Sequence, residues 1–534
     1  MKARVVQVAV LLGVLALVFI GSGQAAPGKL PSGEVTYMMM TDLGTLDPQG
    51  LGGGSDVPVF MALYDSMTWA DKDGVDRPGV CVAWRYVDPK TVELKFRKGL
   101  VFHNGEPFTA EDYAFATAKG FSEYAAKSGM MTTLKHVESY EAVDDDTFVY
   151  HLKEAVATFL PRVVSNLALS CLQPKDYLEK VGNQGFEKHP IGLGPYKYVE
   201  RKKGEYIKLT ASENWFGPRP WDGPVQVKDV KIIFVPETET RQAMLKTGAG
   251  DIDESVLPKV AKEMLKEPKL KVLTGEPNQY IQFNINTACE FIPGTKIPNP
   301  FREVKVRQAV QMAIDKKAIM EGIMMGFAKQ CHGPWNPPVW GAAPDEITPY
   351  PYDPEKARKL LKEAHFPFDQ EFAMVAYRTS AGAAESMEAV VGYLNEVGMK
   401  AKYVLSEVGT LMKEWQDPKR ERVYPFQFVR HQTNLPDPIG FTYYAWGTGR
   451  WLSCVWDAGL DQLLEKREHI FDMQEVQEHY KKIYKYVHEN ALNCTVYQDV
   501  LLLGLGPRVD WWIPKGTIEP YGLERITWKE GHAK

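Results

Sequence analysis

Residues able to act as nucleophiles, bases or metal ligands are plentiful in this chain, but their spacing forms none of the familiar catalytic constellations. Gly50-Leu51-Gly52-Gly53-Gly54-Ser55 is glycine-rich yet lacks the following lysine of a phosphate-cradling loop, and it reads as a tight turn. No G-x-S-x-G elbow occurs. No H-E-x-x-H occurs either, and His479 and His488 miss the i, i+4 spacing that sets two imidazoles on one helix face. Asp144-Asp145-Asp146 has no downstream glutamate at calcium-loop spacing, so it reads as a solvated turn before a strand. Paired carboxylates carry little information among 68 acidic residues. Five of the 13 tryptophans, Trp335, Trp340, Trp446, Trp451 and Trp456, lie in one part of the chain. Aromatic rings offer large apolar area at small entropic cost, so they line ligand sites as well as cores. The chemistry left open is binding, with no catalytic residue, metal ligand or cofactor indicated.

The elements that must position such a site alternate between strands and helices. Val92, Leu94 and Phe96, then Phe148, Tyr150 and Leu152, then Ile281, Phe283 and Ile285 alternate with their neighbours as strands with one buried face do. The run Ile232-Ile233-Phe234-Val235 suits a more deeply buried strand. Thr109-Ala110-Glu111-Asp112 is a capping-box pattern that opens a helix. Val306, Ala309, Val310, Ala313 and Ile314 form one apolar helical stripe. Asp353-Pro354 reads as an N-cap with proline at the first helical position. Residues 460–466 and 476–488 also read as helical. Stretches 291–300 and 332–353 are rich in Pro and Gly and read as ordered connections. There is no internal repeat.

At 534 residues the chain exceeds the usual size of one domain. It is 44% hydrophobic and 25% charged, as soluble globular proteins are. A net charge of −5 gives no basic face for nucleic acid. Lys2 and Arg4 precede an apolar run over 5–20 and the small residues Gly21-Ser22-Gly23-Gln24-Ala25. That order predicts a secretory signal peptide cleaved after Ala25. The run is short for a membrane span, which needs roughly 20 residues. Loss of Lys2 and Arg4 takes the net charge from −5 to −7. Export to a Gram-negative periplasm is the expected localisation, and it permits disulfides. Cys81, Cys171, Cys289, Cys331, Cys454 and Cys494 form no zinc-knuckle spacing; disulfides and buried free thiols both stay open.

Several segments together resemble family 5 of the extracellular solute-binding proteins, the dipeptide, oligopeptide and nickel receptors of ABC importers. They are Thr45-Leu46-Asp47-Pro48, residues 96–112 (FRKGLVFHNGEPFTAED), Pro190-Ile191-Gly192-Leu193-Gly194-Pro195-Tyr196, the helix with Val306-Arg307-Gln308-Ala309 and Ala313-Ile314-Asp315, and Tyr352-Asp353-Pro354-Glu355-Lys356-Ala357. Each is weak alone; five in the family's order are specific, and the likeness runs over most of residues 33–515. It implies an α/β fold of two lobes closing on ligand by a hinge, with an extra subdomain in the larger lobe. Lobe I would hold 26–284 plus 500–534 and lobe II 285–499, with crossings around 281–286 and 496–502. Arg307, Asp315 and His103 read as residues that brace this fold.

The resemblance also places a site. In peptide-binding members, an acidic residue three positions before a D-P pair holds the peptide's amino group. Asp437-Pro438 matches that pair, but the position three before is Asn434, which hydrogen-bonds without charge. Arg430 and His431 add positive potential beside it, and Gln432 lies between. Arg suits bidentate recognition of a carboxylate or phosphate. Tyr377 and Arg378 fall where peptide receptors contact the far end of the ligand. Met39, Met40 and Thr41 follow the first strand at a position that can face the cleft, Gln498 lies on the second crossing, and Trp446 follows the D-P pair. The expected function is a monomeric periplasmic receptor. It would capture a short peptide, a peptide-like compound or another organic solute and deliver it to an ABC permease. A metal chelate is a third ligand class. An exported hydrolase and a sensory receptor of the same fold are the alternatives.

Overall fold

The computed structural model describes residues 30–50, 56–73, 75–122, 133–165, 167–220, 222–275, 279–292, 295–377, 382–406, 411, 424–432, 437–438, 442, 445–449, 453–515 and 521–532. Residues 31–534 form one compact unit. Its frame is three β-sheets with helices packed against them. The seven-stranded sheet runs in the order β12 (Lys271–Thr274), β18 (Leu502–Leu505), β11 (Ile252–Asp253), β1 (Ser32–Met39), β10 (Val227–Phe234), β9 (Tyr206–Ala211) and β8 (Tyr196–Lys202). A four-stranded antiparallel sheet has the order β4 (Cys81–Asp88), β5 (Thr91–Phe96), β7 (Thr147–Leu152), β6 (Val137–Asp144). The five-stranded sheet has the order β15 (Lys400–Ser406), β14 (Glu371–Tyr377), β16 (Phe426–Gln432), β13 (Gln279–Ile285), β17 (Asn493–Asp499). Among the described residues there are also two two-stranded sheets, β2 (Thr68–Ala70) with β3 (Asp76–Pro78) and β19 (Val509–Asp510) with β20 (Thr527–Trp528).

Alternation in sequence becomes alternation in burial where one face of a sheet meets solvent. In β5, Val92, Leu94 and Phe96 are buried and their neighbours are not. Together with Phe148, Tyr150 and Leu152 of β7 they form the core of the four-stranded sheet. β13 differs from the sequence reading. All seven of its residues are buried, so Gln282 and Asn284 are enclosed along with Ile281, Phe283 and Ile285. Helices cover one face and aromatic residues the other. β10 departs in the opposite sense: Val227, Val230 and Ile232 are buried, but Ile233 and Phe234 are only half-buried.

The helix signals have their expected mechanism. Asp112 Oδ2 accepts the backbone N–H of Thr109 at 2.8 Å and completes a capping box for the helix Ala110–Gly120. Val306, Ala309, Val310 and Ala313 bury one stripe of the helix Val304–Ala313, whereas Ile314, expected on that stripe, is buried just past its end in extended backbone. Asp353 caps the helix Pro354–Glu363 by accepting Lys356 N–H at 2.8 Å. The two C-terminal helices are Ala458–Arg467 and Met473–Glu489.

The remaining motif residues lock loops to this frame. Arg307, buried, donates to the carbonyls of Phe301, Arg302 and Asn490 at 2.8–2.9 Å. Asp315 caps the helix Lys316–Gly322 through Ala318 N–H. His103 Nε2 donates to Gly194 O at 2.9 Å, and its Nδ1 accepts Gly192 N–H at 3.3 Å. The 190–195 turn passes so close to the helix Val57–Tyr64 that a Cβ on Gly192 would lie 2.2 Å from Leu63 O, and one on Gly194 2.2 Å from Ala62 O. Only glycine permits that approach. Cys81, Cys171, Cys331 and Cys494 are buried free thiols.

Candidate functional site

Sheet membership changes twice along the chain. β12 lies in the seven-stranded sheet and β13 in the five-stranded one, so the chain first changes sheet between Thr274 and Gln279. β17 and β18 divide in the same way, so the second crossing falls at 500–501. Register then determines which strand ends meet these crossings. In the five-stranded sheet, Gln279 pairs with Gln432 on one side and with Asp499 on the other. The start of β13 and the ends of β16 and β17 therefore share one edge. β14 runs parallel to β16, with Val375 opposite Gln427, so Tyr377 points the chain to that same edge. In the seven-stranded sheet, Thr274 pairs with Leu502 and Asp253 with Gly504, while Met38 pairs with Asp253. The end of β1 thus reaches the crossings from the other side. Ligand sites of α/β sheets form outside the carboxyl ends of parallel strands, and both sheets present such ends here.

The expected site residues distribute over these two edges. Tyr377 is half-buried at the end of β14, its ring tilted at 5.1 Å from Phe428. Arg430, His431 and Gln432 occupy the last three positions of β16, opposite Ile281, Tyr280 and Gln279. Arg378 and Asn434 lie outside the described residues. Met39 is fully buried in the core of the seven-stranded sheet, Met40 is half-buried and Thr41 is exposed.

Gln498 and Trp446 belong to the interior wall behind the edge. Gln498 Nε2 donates to Tyr280 Oη at 3.2 Å, and its Oε1 accepts from Asn336 Nδ2 at 2.8 Å. Its backbone also bridges Lys329. Tyr280 Oη accepts Asn336 N–H at 3.1 Å, and burial pushes its phenol well above the ordinary range. Trp446 is completely enclosed, stacked on Trp335 with ring centroids 5.7 Å apart. Its indole N–H is 3.4 Å from Asn284 Oδ1. Further in, Gln282 Oε1 accepts from Asn493 Nδ2 and Thr495 Oγ1 at 2.9 and 3.1 Å.

The D-P pair is a brace. Asp437 is buried, accepts from Tyr480 Oη and pairs with Arg467 Nη2 at 3.2 Å. It is thereby committed to the helices Ala458–Arg467 and Met473–Glu489.

One carboxylate at the facing edge escaped the sequence reading. Glu254 follows β11 and its Oε1 accepts Met40 N–H at 2.8 Å. Beside it, buried Arg241 pairs with Asp253 at 2.8 Å and donates to the carbonyls of Val235, Pro236 and Ser255. These bonds tie the loop after β10 to β11 and fix the edge on which Glu254 sits. Burial raises the Asp253 carboxyl pKa, with Arg241 opposing the shift. Nothing in the local sequence of Ile252-Asp253-Glu254 marks the role; it follows from pairing register alone. Among the described residues, no group of three His, Cys, Asp or Glu side chains is placed to hold a metal ion.

Comparison with known proteins identifies the family and the fold. The profile of bacterial extracellular solute-binding proteins, family 5 middle, matches residues 77–453. Heme-binding protein A of Haemophilus influenzae is 27% identical over 497 residues, covering 86% of this chain and 85% of that protein. The periplasmic binding protein DppA from Helicobacter pylori, solved in complex with the peptide STSA, superposes with a TM-score of 0.78 at 22% identity. That match covers 93% of this chain and 98% of the other. AgaA from A. tumefaciens R10, solved in complex with agropinic acid, has a TM-score of 0.80 at 20% identity, covering 94% and 100%.

Proposed function

The chain belongs to family 5 of the bacterial extracellular solute-binding proteins and has their two-lobed α/β fold, and from that premise we propose how it selects and hands over its ligand. We place the lobe boundaries where the chain changes sheet, between β12 and β13 and between β17 and β18; the pairing of β13 along its whole length within the five-stranded sheet supports this reading. The mature protein begins after Ala25, is exported, acts as a monomer and passes its ligand to an ABC permease. It binds and returns the ligand unchanged; no catalytic constellation is indicated by the sequence.

The ligand is a small organic solute or peptide-like compound carrying a carboxylate or another anionic group. The observation that carries this is the gathering of Tyr377 and the Arg430-His431-Gln432 positions at one sheet edge, with Asn434 two residues beyond β16. A neutral Asn434 cannot neutralise a peptide ammonium as a carboxylate would. Arg430 supplies a fork suited to carboxylate oxygens. The relatives are named for or solved with ligands as different as heme, a tetrapeptide and agropinic acid, which fits a conserved frame around a variable site.

Isothermal titration with two matched probes, N-acetyl-Met-Leu and Met-Leu amide, tests the polarity of recognition. The reading expects the acid to bind more tightly, and Arg430→Ala to remove that preference. Tighter binding of the amide with its free amine would overturn it.

A further inference from the structure

The two crossings are not the only place where the half built on the five-stranded sheet touches the rest. The loop 468–472 joins the helices Ala458–Arg467 and Met473–Glu489. Leu460, Leu464, Val476 and Tyr480 of those helices share a core with Tyr280 of β13. The loop itself lies against the four-stranded sheet. Ala157 N–H donates to Glu468 O at 2.6 Å, and His469 Nδ1 is 3.0 Å from Ala155 O. The Phe471 ring meets Tyr86 of β4 edge-on, with centroids 5.3 Å apart at 83°. Tyr86 is itself fixed, since its hydroxyl donates to Val156 O at 2.6 Å and accepts Leu160 N–H at 3.1 Å. His136 stands 3.5 Å from Glu154 and 4.0 Å from Glu468.

We propose that loop 468–472 is a latch that holds the two lobes together by contacts between polypeptide groups, outside the ligand site. The contact is small, made of two hydrogen bonds and one ring pair. Phe471 remains 39% exposed, as a ring that docks on one side does. A ligand shifts an open–closed equilibrium only by its differential affinity for the two states. A latch moves the starting point of that equilibrium, so it sets affinity and residence time without touching the ligand. This goes beyond the receptor reading and rests on it only in giving closure its purpose.

X-ray scattering from the full mature chain, dialysed free of small molecules, tests the latch directly. The comparison is between the natural protein, Phe471→Tyr, and His469→Ala combined with Phe471→Ala. The latch predicts equal, compact radii of gyration for the first two and a larger radius for the double variant, which still melts cooperatively. Equal radii for the natural protein and the double variant would overturn it, whether both are compact or both expanded. If the double variant does not fold, Phe471→Ala alone carries the same comparison at a partly exposed ring. Ligand binding retained alongside equal radii sinks the latch and leaves the receptor reading standing. A radius change as expected in a protein that captures no solute supports the latch and sinks the receptor reading.

Discussion

Arg467 and Asp437 form a buried pair at 3.2 Å, and through it the D-P turn beside Asn434 is fastened to the helix that leads into loop 468–472. Tyr480 completes the brace: its hydroxyl donates to Asp437, and the Arg467 guanidinium lies 4.9 Å from its ring centroid. The turn at Asp437-Pro438 and the loop that meets the four-stranded sheet thus share one support.

Removing one member of a buried pair leaves the other charge uncompensated. Arg467→Ala is expected to destabilise the protein by about 3–5 kcal/mol. Urea unfolding followed by tryptophan fluorescence checks this. Arg467→Lys should retain part of the loss, because it keeps charge without the fork.

The Gly192 and Gly194 approaches give a sharper steric prediction. A methyl at either position would lie 2.2 Å from a backbone carbonyl of residues that cannot withdraw. Gly192→Ala and Gly194→Ala should each cost about 3 kcal/mol, at the upper end of overpacking penalties. Gly223→Ala, with nothing within 4 Å of its Cβ, should melt like the natural protein. Thermal melts of the three variants decide it.

His103 predicts a pH dependence. Burial is the largest cause holding its imidazole down at about 4, against 6.5 in an open chain, with Lys197 adding to the effect. Between those values the unfolded chain binds more protons than the folded one, so stability rises with pH from about 4 to about 6.5. The contribution is complete above that window and lost below it. His136, held at about 4 by burial and by Arg162, adds a second contribution of the same sign. Unfolding free energies measured across this range should show the slope, and His103→Gln should flatten it. An unchanged slope in the variant would place the effect elsewhere.

Much of the frame was legible because its signals are local. The stripe of Val306, Ala309, Val310 and Ala313, the cap at Asp353 and the capping box at Thr109 and Asp112 each depend on residues within one or two turns, and each forms as read. Periodicity reports which residues share a face but not what covers it. The buried Gln282 and Asn284 of β13 read as a solvent face for that reason, and Ile233 and Phe234 of β10 as more buried than they are. The candidate site could be suggested only through family likeness. Tyr377 and the end of β16 are brought to one edge, with Gln498 behind it, by strand register, which no local pattern encodes. Glu254 carried no signal at all, since its place depends on β11 pairing beside β1.

Glu254 supplies a further test at the facing edge. Its carboxylate receives Met40 N–H at 2.8 Å, a bond that orders the segment after β1. Glu254→Gln keeps an acceptor and should preserve the fold. If a cationic part of the ligand lies against this edge, affinity falls about tenfold, equal to about 1.4 kcal/mol. Titration calorimetry with the ligand released from the purified protein reads that change.

A receptor of this kind should capture a solute and give it back unaltered. Native mass spectrometry of the protein purified from the periplasm without refolding tests it most directly. A receptor that retains its ligand should show a discrete excess mass over the chain that begins at Ala26, lost under denaturing conditions. The released molecule should rebind to the emptied protein at its original mass. A protein that retains no solute and takes up none from a panel of capped peptides, organic acids and sugars would contradict the account, as would release of the added molecule in cleaved form.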